Sequence, residues 1–343
     1  MNIRLLSLSR VSLVYLLISA GLSVWLSACS SGKDDQAVEA QAVLTSADAV
    51  AQSYRSAYGK AIVAPPGYKL VQKLDGELPG QTTPRSFVLI FREESSNNWL
   101  VAFRGATQHA LSIDPSMFSS SVPFTAANGA KLPGEVAQVA AMIYKTLQKP
   151  LMQWLKQSEP SSLTITGHSL GAQLAILFLV DIATIEDAPQ ADINTIVFGA
   201  PRLGDADFAK YVDSDVTKKY MLRAFNNKND KAIGEFSTGA QGFVRIADVY
   251  PLCFKVTSAP AAKGSLMKIV GPDHLLSNYI IALNHLFAKQ PLPADVQMCD
   301  VSEDSAKSSV DSGQFKDQKT DNQPKPPLKI EQGRQTKQDQ NQG

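Results

Sequence analysis

The sequence predicts an α/β fold with a central, mostly parallel sheet flanked by helices and with antiparallel strands only at its start. Three observations predict it. Two β-rich runs, Phe87 to Phe91 and Trp99 to Phe103, are joined by a polar turn around Ser95-Ser96-Asn97-Asn98, which reads as a hairpin. Beyond them, short apolar strands alternate with helical stretches, the signature of a largely parallel sheet. Finally, the β-branched run Leu163 to Thr166 passes through Gly167-His168-Ser169-Leu170-Gly171 directly into an apolar helix.

Each element follows from its period. Glu135 to Trp154 is predicted helical, with Val136, Val139, Met142, Ile143 and Leu147 on one face. Ala172 to Ile185 is the helix after the glycine-flanked serine. Ile193 to Phe198 and Tyr220 to Phe225 read as buried strands, and Leu275 to Phe287 as a closing helix.

The 343 residues are 44% hydrophobic and 19% charged, ordinary for a globular chain. A formal net charge of +1 provides no broad field toward nucleic acid, and no nucleic-acid partner is expected. The composition divides the chain into a leader (1–28), a small polar tether (29–41), a folded domain (42–300) and a tail (301–343). The tail is rich in Gln, Lys, Asp and Ser. It cannot bury enough apolar surface to offset its ordering entropy, so it is expected to be disordered.

The leader carries Arg4 and Arg10 without an acid, then an apolar stretch from Val11 to Trp25. That stretch is shorter than the ~20 residues of a spanning helix. Leu26-Ser27-Ala28-Cys29 follows and resembles the lipobox of bacterial lipoproteins. The resemblance implies acylation of Cys29, which becomes the new N-terminus. With Ser30 rather than Asp after it, it also implies a place in the cell envelope, at the outer membrane or its periplasmic face. Three acyl chains would exceed the roughly two signals that stable anchoring needs. An ordinary signal peptide and a longer membrane anchor are the alternatives. Outside the cytoplasm Cys253 and Cys299, 46 residues apart, could pair. Closing such a loop is worth roughly 4 kcal/mol in the chain-entropy picture. Two buried thiols are the alternative.

Gly167-x-Ser169-x-Gly171 between a strand and a helix has the form of a nucleophile elbow. The turn strains the serine, lifts its Oγ above the sheet and sets it at a helix N-terminus, where backbone N–H groups can face an oxyanion. A glycine-rich connection without chemistry is the plain alternative.

Four segments in order resemble the class 3, fungal-type lipases of the α/β-hydrolase fold. They are Val101-Ala102-Phe103-Arg104-Gly105, Thr166-Gly167-His168-Ser169-Leu170-Gly171-Ala172, Phe198-Gly199-Ala200-Pro201-Arg202-Leu203-Gly204-Asp205 and Asp273-His274-Leu275-Leu276-Ser277-Asn278-Tyr279. The chain departs from the family at Leu132-Pro133-Gly134-Glu135 and at Lys231-Ala232-Ile233-Gly234, and by having Ala106 where the family places Ser or Thr.

The order Ser, acid, His of this fold leaves His274 and His285 as bases, because His109 and His168 precede Ser169. His274 follows a Gly-Pro-Asp loop and is preferred over His285, which is mid-helix. The family spacing falls on Asp230 as the acid. Asp248 and Asp273 are rivals, Asp273 being read as a helix cap. The resemblance implies that Ser169 attacks an ester carbonyl, His274 takes its proton and Asp230 orients His274. The N–H groups of Leu170 and Ala106 would hold the oxyanion, with the Thr107 hydroxyl replacing the one Ala106 lacks.

The resemblance also implies a lipid or ester substrate, neither cofactor nor metal, and contact with a membrane through the lipid anchor. Lipase, phospholipase A1 and short-chain esterase activities share this machinery, as does acyl transfer to another alcohol. A catalytically silent envelope lipoprotein that only binds is a reading of another class. Thr107 to Phe124, with Leu111, Ile113, Met117, Phe118, Val122 and Phe124, lies where the family carries a lid. It reads as either a lid or a structured loop with core residues.

Overall fold

The computed structural model describes residues 37–81, 83–108, 110, 113–186, 188–235, 243, 246, 248–257 and 271–299. The leader, Cys29, the tether up to residue 36, His109, Leu111 and the 301–343 tail lie outside the described residues.

A seven-stranded sheet forms the centre. Its strands are β1 (Tyr68–Gly76), β2 (Arg85–Glu93), β3 (Asn98–Phe103), β6 (Ser162–His168), β7 (Asp192–Phe198), β8 (Met221–Asn227) and β9 (Asp248–Leu252), paired in that order. The pairs β1–β2 and β2–β3 are antiparallel, and every pair from β3 onward is parallel. Two small ribbons complete the strands: β4 (Ser121–Thr125) with β5 (Lys131–Ala137), and β10 (Phe254–Val256) with β11 (Val296–Met298).

Alternation along the strands sorts side chains to two apolar layers, as a period of two requires. Val101 and Phe103 of β3 join the layer under helices α2 (Gln138–Ser158) and α3 (Leu170–Ala183). Leu100 and Ala102 join the opposite layer, with helix α1 (37–57) and the last helix, Leu276–Ala288. Helix α3 is buried along its whole length, so it reads as apolar all round rather than striped.

Two expectations change, and one open reading gains detail. Helix α1 begins at residue 37 and takes in the end of the segment read as a tether. Glu135 to Ala137 are strand, and the long helix starts at Gln138. The cause is long-range. The N–H of Asp205 donates to the carbonyl of Glu135 at 3.0 Å, and that of Ala137 to the carbonyl of Leu203 at 2.8 Å, so these backbone groups are already committed to the 203–205 segment. A local period cannot see this. Lastly, the described part of 107–124 is packed. Ile113 and Phe124 are buried in the core, the Phe124 ring lies 5.8 Å from that of Tyr144, and Met117 and Phe118 lean on the same layer. The described part holds a short helical turn (Pro115–Phe118) and the strand β4, with Met117, Phe118 and Val122 half-buried.

Cys253 and Cys299 form a disulfide between the end of β9 and the end of β11, beside the backbone bond from Cys299 N–H to the Cys253 carbonyl (2.9 Å).

Candidate active site

Ser169 joins β6 to α3 with φ 57° and ψ −128°, a left-handed conformation costing about 1–3 kcal/mol for a non-glycine residue. The surrounding backbone enforces it. A Cβ on Gly167 would lie 2.1 Å from the Gly171 carbonyl oxygen, and one on Gly171 would lie 2.4 Å from the Phe103 carbonyl oxygen. Only hydrogen fits at either position, which is the reason for the glycine spacing. The Ser169 N–H donates to the Phe198 carbonyl at 3.1 Å, tying the turn to β7.

Ser169 Oγ lies 2.8 Å from His274 Nε2, and His274 Nδ1 lies 2.7 Å from Asp230 Oδ2. With the carboxylate accepting at Nδ1–H, Nε2 is left to accept from the serine hydroxyl. Asp230 follows β8 and is buried, with its Oδ1 accepting from the Ala232 N–H at 3.0 Å. Its Oδ2 takes a second bond from the Tyr279 hydroxyl at 2.7 Å, which in turn accepts from the Asn227 N–H at 3.0 Å. The carboxylate thus has partners on both oxygens.

The rivals lie elsewhere. Asp248 opens β9, whose other end, Leu252, pairs with Asn227 at the edge where Asp230 emerges. Asp273 does not cap the following helix. Its Oδ1 accepts from the Val256 N–H at 2.9 Å and fastens the histidine loop to β10. His285 bonds the Gln290 carbonyl on the closing helix.

Leu170 is the first residue of α3, so its N–H has no carbonyl within the helix to bond. The loop after β3 runs against the elbow: a Cβ on Gly105 would lie 2.5 Å from the His168 carbonyl oxygen and 3.0 Å from Ser169 Cβ. Ala106 and Thr107 follow there. Thr107 is buried, and its Oγ1 has no hydrogen-bond partner among the described residues. Among the described residues no group of three or more His, Cys, Asp or Glu side chains could hold a metal ion.

Sequence reasoning missed Tyr54 and Tyr279. Tyr279 was visible in the late histidine segment but carried no assigned role. Tyr54 continues the stripe Val43, Ala47, Val50 along α1, a 4-3-4 spacing that marks one helix face.

Residues 100–231 match the family model for class 3 lipases. A phospholipase A1-II 1 of Oryza sativa subsp. indica is 43% identical over 63 residues, 18% of this chain and 16% of that protein. The chloroplastic phospholipase A(1) DAD1 of Arabidopsis thaliana is 46% identical over 70 residues, 20% of this chain and 15% of that protein. The secreted mono- and diacylglycerol lipase LIP1 of Malassezia globosa is 35% identical over 68 residues, 20% of this chain and 22% of that protein. The chain therefore spans less than a quarter of the length of these curated relatives. Among solved structures, a triacylglycerol lipase with a serine-protease triad is 19% identical, with a TM-score of 0.49 over 68% of this chain and 91% of that one. A lipase from Rhizopus microsporus var. chinensis is 20% identical, with a TM-score of 0.48 over 73% and 84%.

His168 is buried between Tyr54, His274 and Tyr279. Burial, and then the neighbouring His274, hold its pKa well below the ordinary histidine value, so it is neutral in the folded protein. The unfolded chain takes up a proton there as pH falls below about 6.5, and the native state does not. This contribution to stability is therefore complete above that pH and is lost as pH falls. The slope approaches ~1.4 kcal/mol per pH unit once the unfolded histidine is charged. Urea midpoints measured from pH 7.5 to 5 should fall more steeply for wild type than for His168→Asn, which has no such proton to bind. Parallel curves would contradict the assignment.

Proposed function

We propose that this chain, which carries a class 3 lipase segment over residues 100–231, is a serine carboxylic ester hydrolase acting on acylglycerol lipids. The observation that carries the reading is the unbroken line of bonds Asp230–His274–Ser169, 2.7 and 2.8 Å, ending on a serine held in a strained elbow.

The chemistry follows from the donors and acceptors in place. Ser169 Oγ attacks the ester carbonyl as its proton passes to His274 Nε2, while Asp230 stabilises the resulting imidazolium through Nδ1–H. The carbonyl π electrons move onto oxygen, which faces the N–H groups of Leu170 and Ala106. Collapse expels the alcohol, which takes the proton from Nε2 and leaves an acyl-enzyme. Water then attacks the acyl carbon with His274 as base, releasing the acid and restoring Ser169. Two curated relatives named as phospholipases A1 match at 43% and 46% identity, which favours glycerophospholipids as a second substrate class. We also propose that Cys29 is lipidated and holds the enzyme on the cell envelope.

Ser169→Ala should abolish ester hydrolysis and fluorophosphonate labelling while leaving the unfolding transition near wild type. A mutant with undiminished turnover, or a wild type that fluorophosphonate leaves unlabelled, would contradict a serine mechanism and favour a binding lipoprotein.

The buried Thr107 hydroxyl, without a hydrogen-bond partner among the described residues, is the candidate for the oxyanion contact that Ala106 lacks. A buried donor without a ground-state partner is costly unless its partner appears later. Thr107→Val should lower kcat about ten-fold or more with little change in KM, because the contact forms mainly in the transition state. Ala106→Ser should restore rate in that background. Full activity of Thr107→Val would leave the two backbone donors as the whole oxyanion site.

Cys29→Ser should abolish detergent-phase partitioning and leave the chain soluble or unprocessed. Normal processing with unchanged partitioning would exclude a lipid thioether at this position.

A further inference from the structure

A second line of hydrogen bonds ends on the same histidine, and its polarity is fixed by the His274 carbonyl. The Tyr54 hydroxyl of α1 lies 2.9 Å from His168 Nδ1, and His168 Nε2 lies 2.9 Å from the carbonyl oxygen of His274. That carbonyl can only accept, so Nε2 carries the proton of the neutral ring. Nδ1 is then an acceptor, and the Tyr54 hydroxyl must donate to it. At the other end the Tyr54 hydroxyl lies against the backbone of Gly105. Both protons of the line, Tyr54 O–H and His168 Nε2–H, therefore point the same way, toward His274.

The groups it joins are those the reaction uses. Gly105 precedes Ala106 of the oxyanion loop, His168 precedes Ser169, and the last acceptor belongs to His274 itself. Space around the hydroxyl is tight: a Cβ on Gly105 would stand 2.3 Å from it. The ring of His168 is also clasped by its neighbours, with centroids 5.9 Å from Tyr54, 4.9 Å from His274 and 5.8 Å from Tyr279. Burial raises the Tyr54 pKa, so the phenol keeps the proton it must donate.

We propose that Tyr54 is a positioning residue of the ester-hydrolase site. Through the tautomer of His168 it holds the oxyanion loop, the nucleophile elbow and the backbone of the base in one mutual geometry. This rests on the reading of Ser169 and His274 as nucleophile and base. Tyr54 touches no reacting atom; it acts through His168 and Gly105. It also lies outside the segment that matches class 3 lipases.

Tyr54→Phe keeps the ring and deletes only the hydroxyl. Its kcat, counted per active site by end-point fluorophosphonate titration, should drop about ten-fold with KM unchanged, the effect of one lost hydrogen bond on transition-state geometry. In a His168→Asn background, the same substitution should cost far less, because the line is already broken. Histidine 15N spectra give a readout that does not depend on turnover. Wild type should show His168 protonated at Nε2 with a hydrogen-bonded Nδ1, and Tyr54→Phe should lose the Nδ1 bond. A Tyr54→Phe enzyme with wild-type kcat per site, losses that multiply fully with those of His168→Asn, or a wild-type His168 protonated at Nδ1 would each overturn the proposal. A wild type that neither labels nor hydrolyses any ester would overturn the hydrolase reading as well, and so is distinguishable from an active, labelled Tyr54→Phe, which sinks this role alone.

Discussion

The close passage of three backbone segments at residues 103, 167 and 171 is the constraint on which the site depends. The carbonyl of Phe103 occupies the space a Cβ on Gly171 would take, and the carbonyl of Gly171 occupies that of a Cβ on Gly167. The first turn of α3 therefore lies on the end of β3, and the chain between, Ser169, has only its strained conformation in which to connect them. That approach also delivers the loop after β3 to the nucleophile. The local strain, about 1–3 kcal/mol, is offset by the burial of α3 on every side, since unwinding the turn would withdraw a largely apolar helix from the core.

The acid and base reach Ser169 because parallel strands end together. Ser169 follows β6 and Asp230 follows β8, at the carboxyl edge of the sheet where α/β folds gather their chemistry. The polar run Asn226 to Asp230 acts as the hub. Asn226 Oδ1 accepts from the Ala200 N–H at 2.8 Å, holding the loop after β7. Asn227 Oδ1 accepts from the Phe254 N–H at 3.1 Å, and Asn229 Nδ2 donates to the Phe254 carbonyl at 2.8 Å. The Cys253–Cys299 bond adjoins Asn229, whose Nδ2 lies 3.4 Å from Cys299 Sγ. Each amide side chain satisfies backbone that no strand pairing reaches, and this leaves the Asp230 carboxylate directed at His274.

Elements whose partners are near in sequence, or whose period is strong, were legible. The β2–β3 hairpin, β6 with its elbow, α3, β7 and β8 appear within a few residues of their expected bounds, because strand alternation and glycine placement are local signals. The strand Lys131–Ala137 was not: it pairs with nearby β4, but its end, Glu135 to Ala137, is also tied to residues 203–205, far along the chain, and that end was the part read as helix. Val136 is buried on a strand as it would have been on a helix, so burial of that residue could not discriminate. Within the site, Ser169 was readable from its glycines. His274 followed from the order Ser, acid, His and from its loop, whereas Asp230 needed the family spacing to be chosen over Asp248 and Asp273. Tyr54 was hidden for another reason: α1 opens among small and polar residues that read as tether, and Ser46 and Ser53 are buried with its apolar stripe.

Two buried carboxylates show how this fold separates structural from chemical work. Asp181 on α3 accepts from the Tyr144 hydroxyl at 2.8 Å, from Gln148 at 3.0 Å and from the Ala127 N–H at 2.6 Å. Asp230 likewise accepts from a tyrosine and a backbone N–H, but its third partner is an imidazole. The partners of Asp181 are groups that do not titrate near neutrality, so it can only fasten the β4–β5 ribbon to the helices behind the sheet. Burial raises its pKa against the pull of those donors. Of these partners only His274 stands between a carboxylate and a hydroxyl, where it can take the serine proton and return it. The tyrosines on the two carboxylates are structurally equivalent ties. What converts one of the sites into chemistry is a histidine whose other nitrogen meets a hydroxyl.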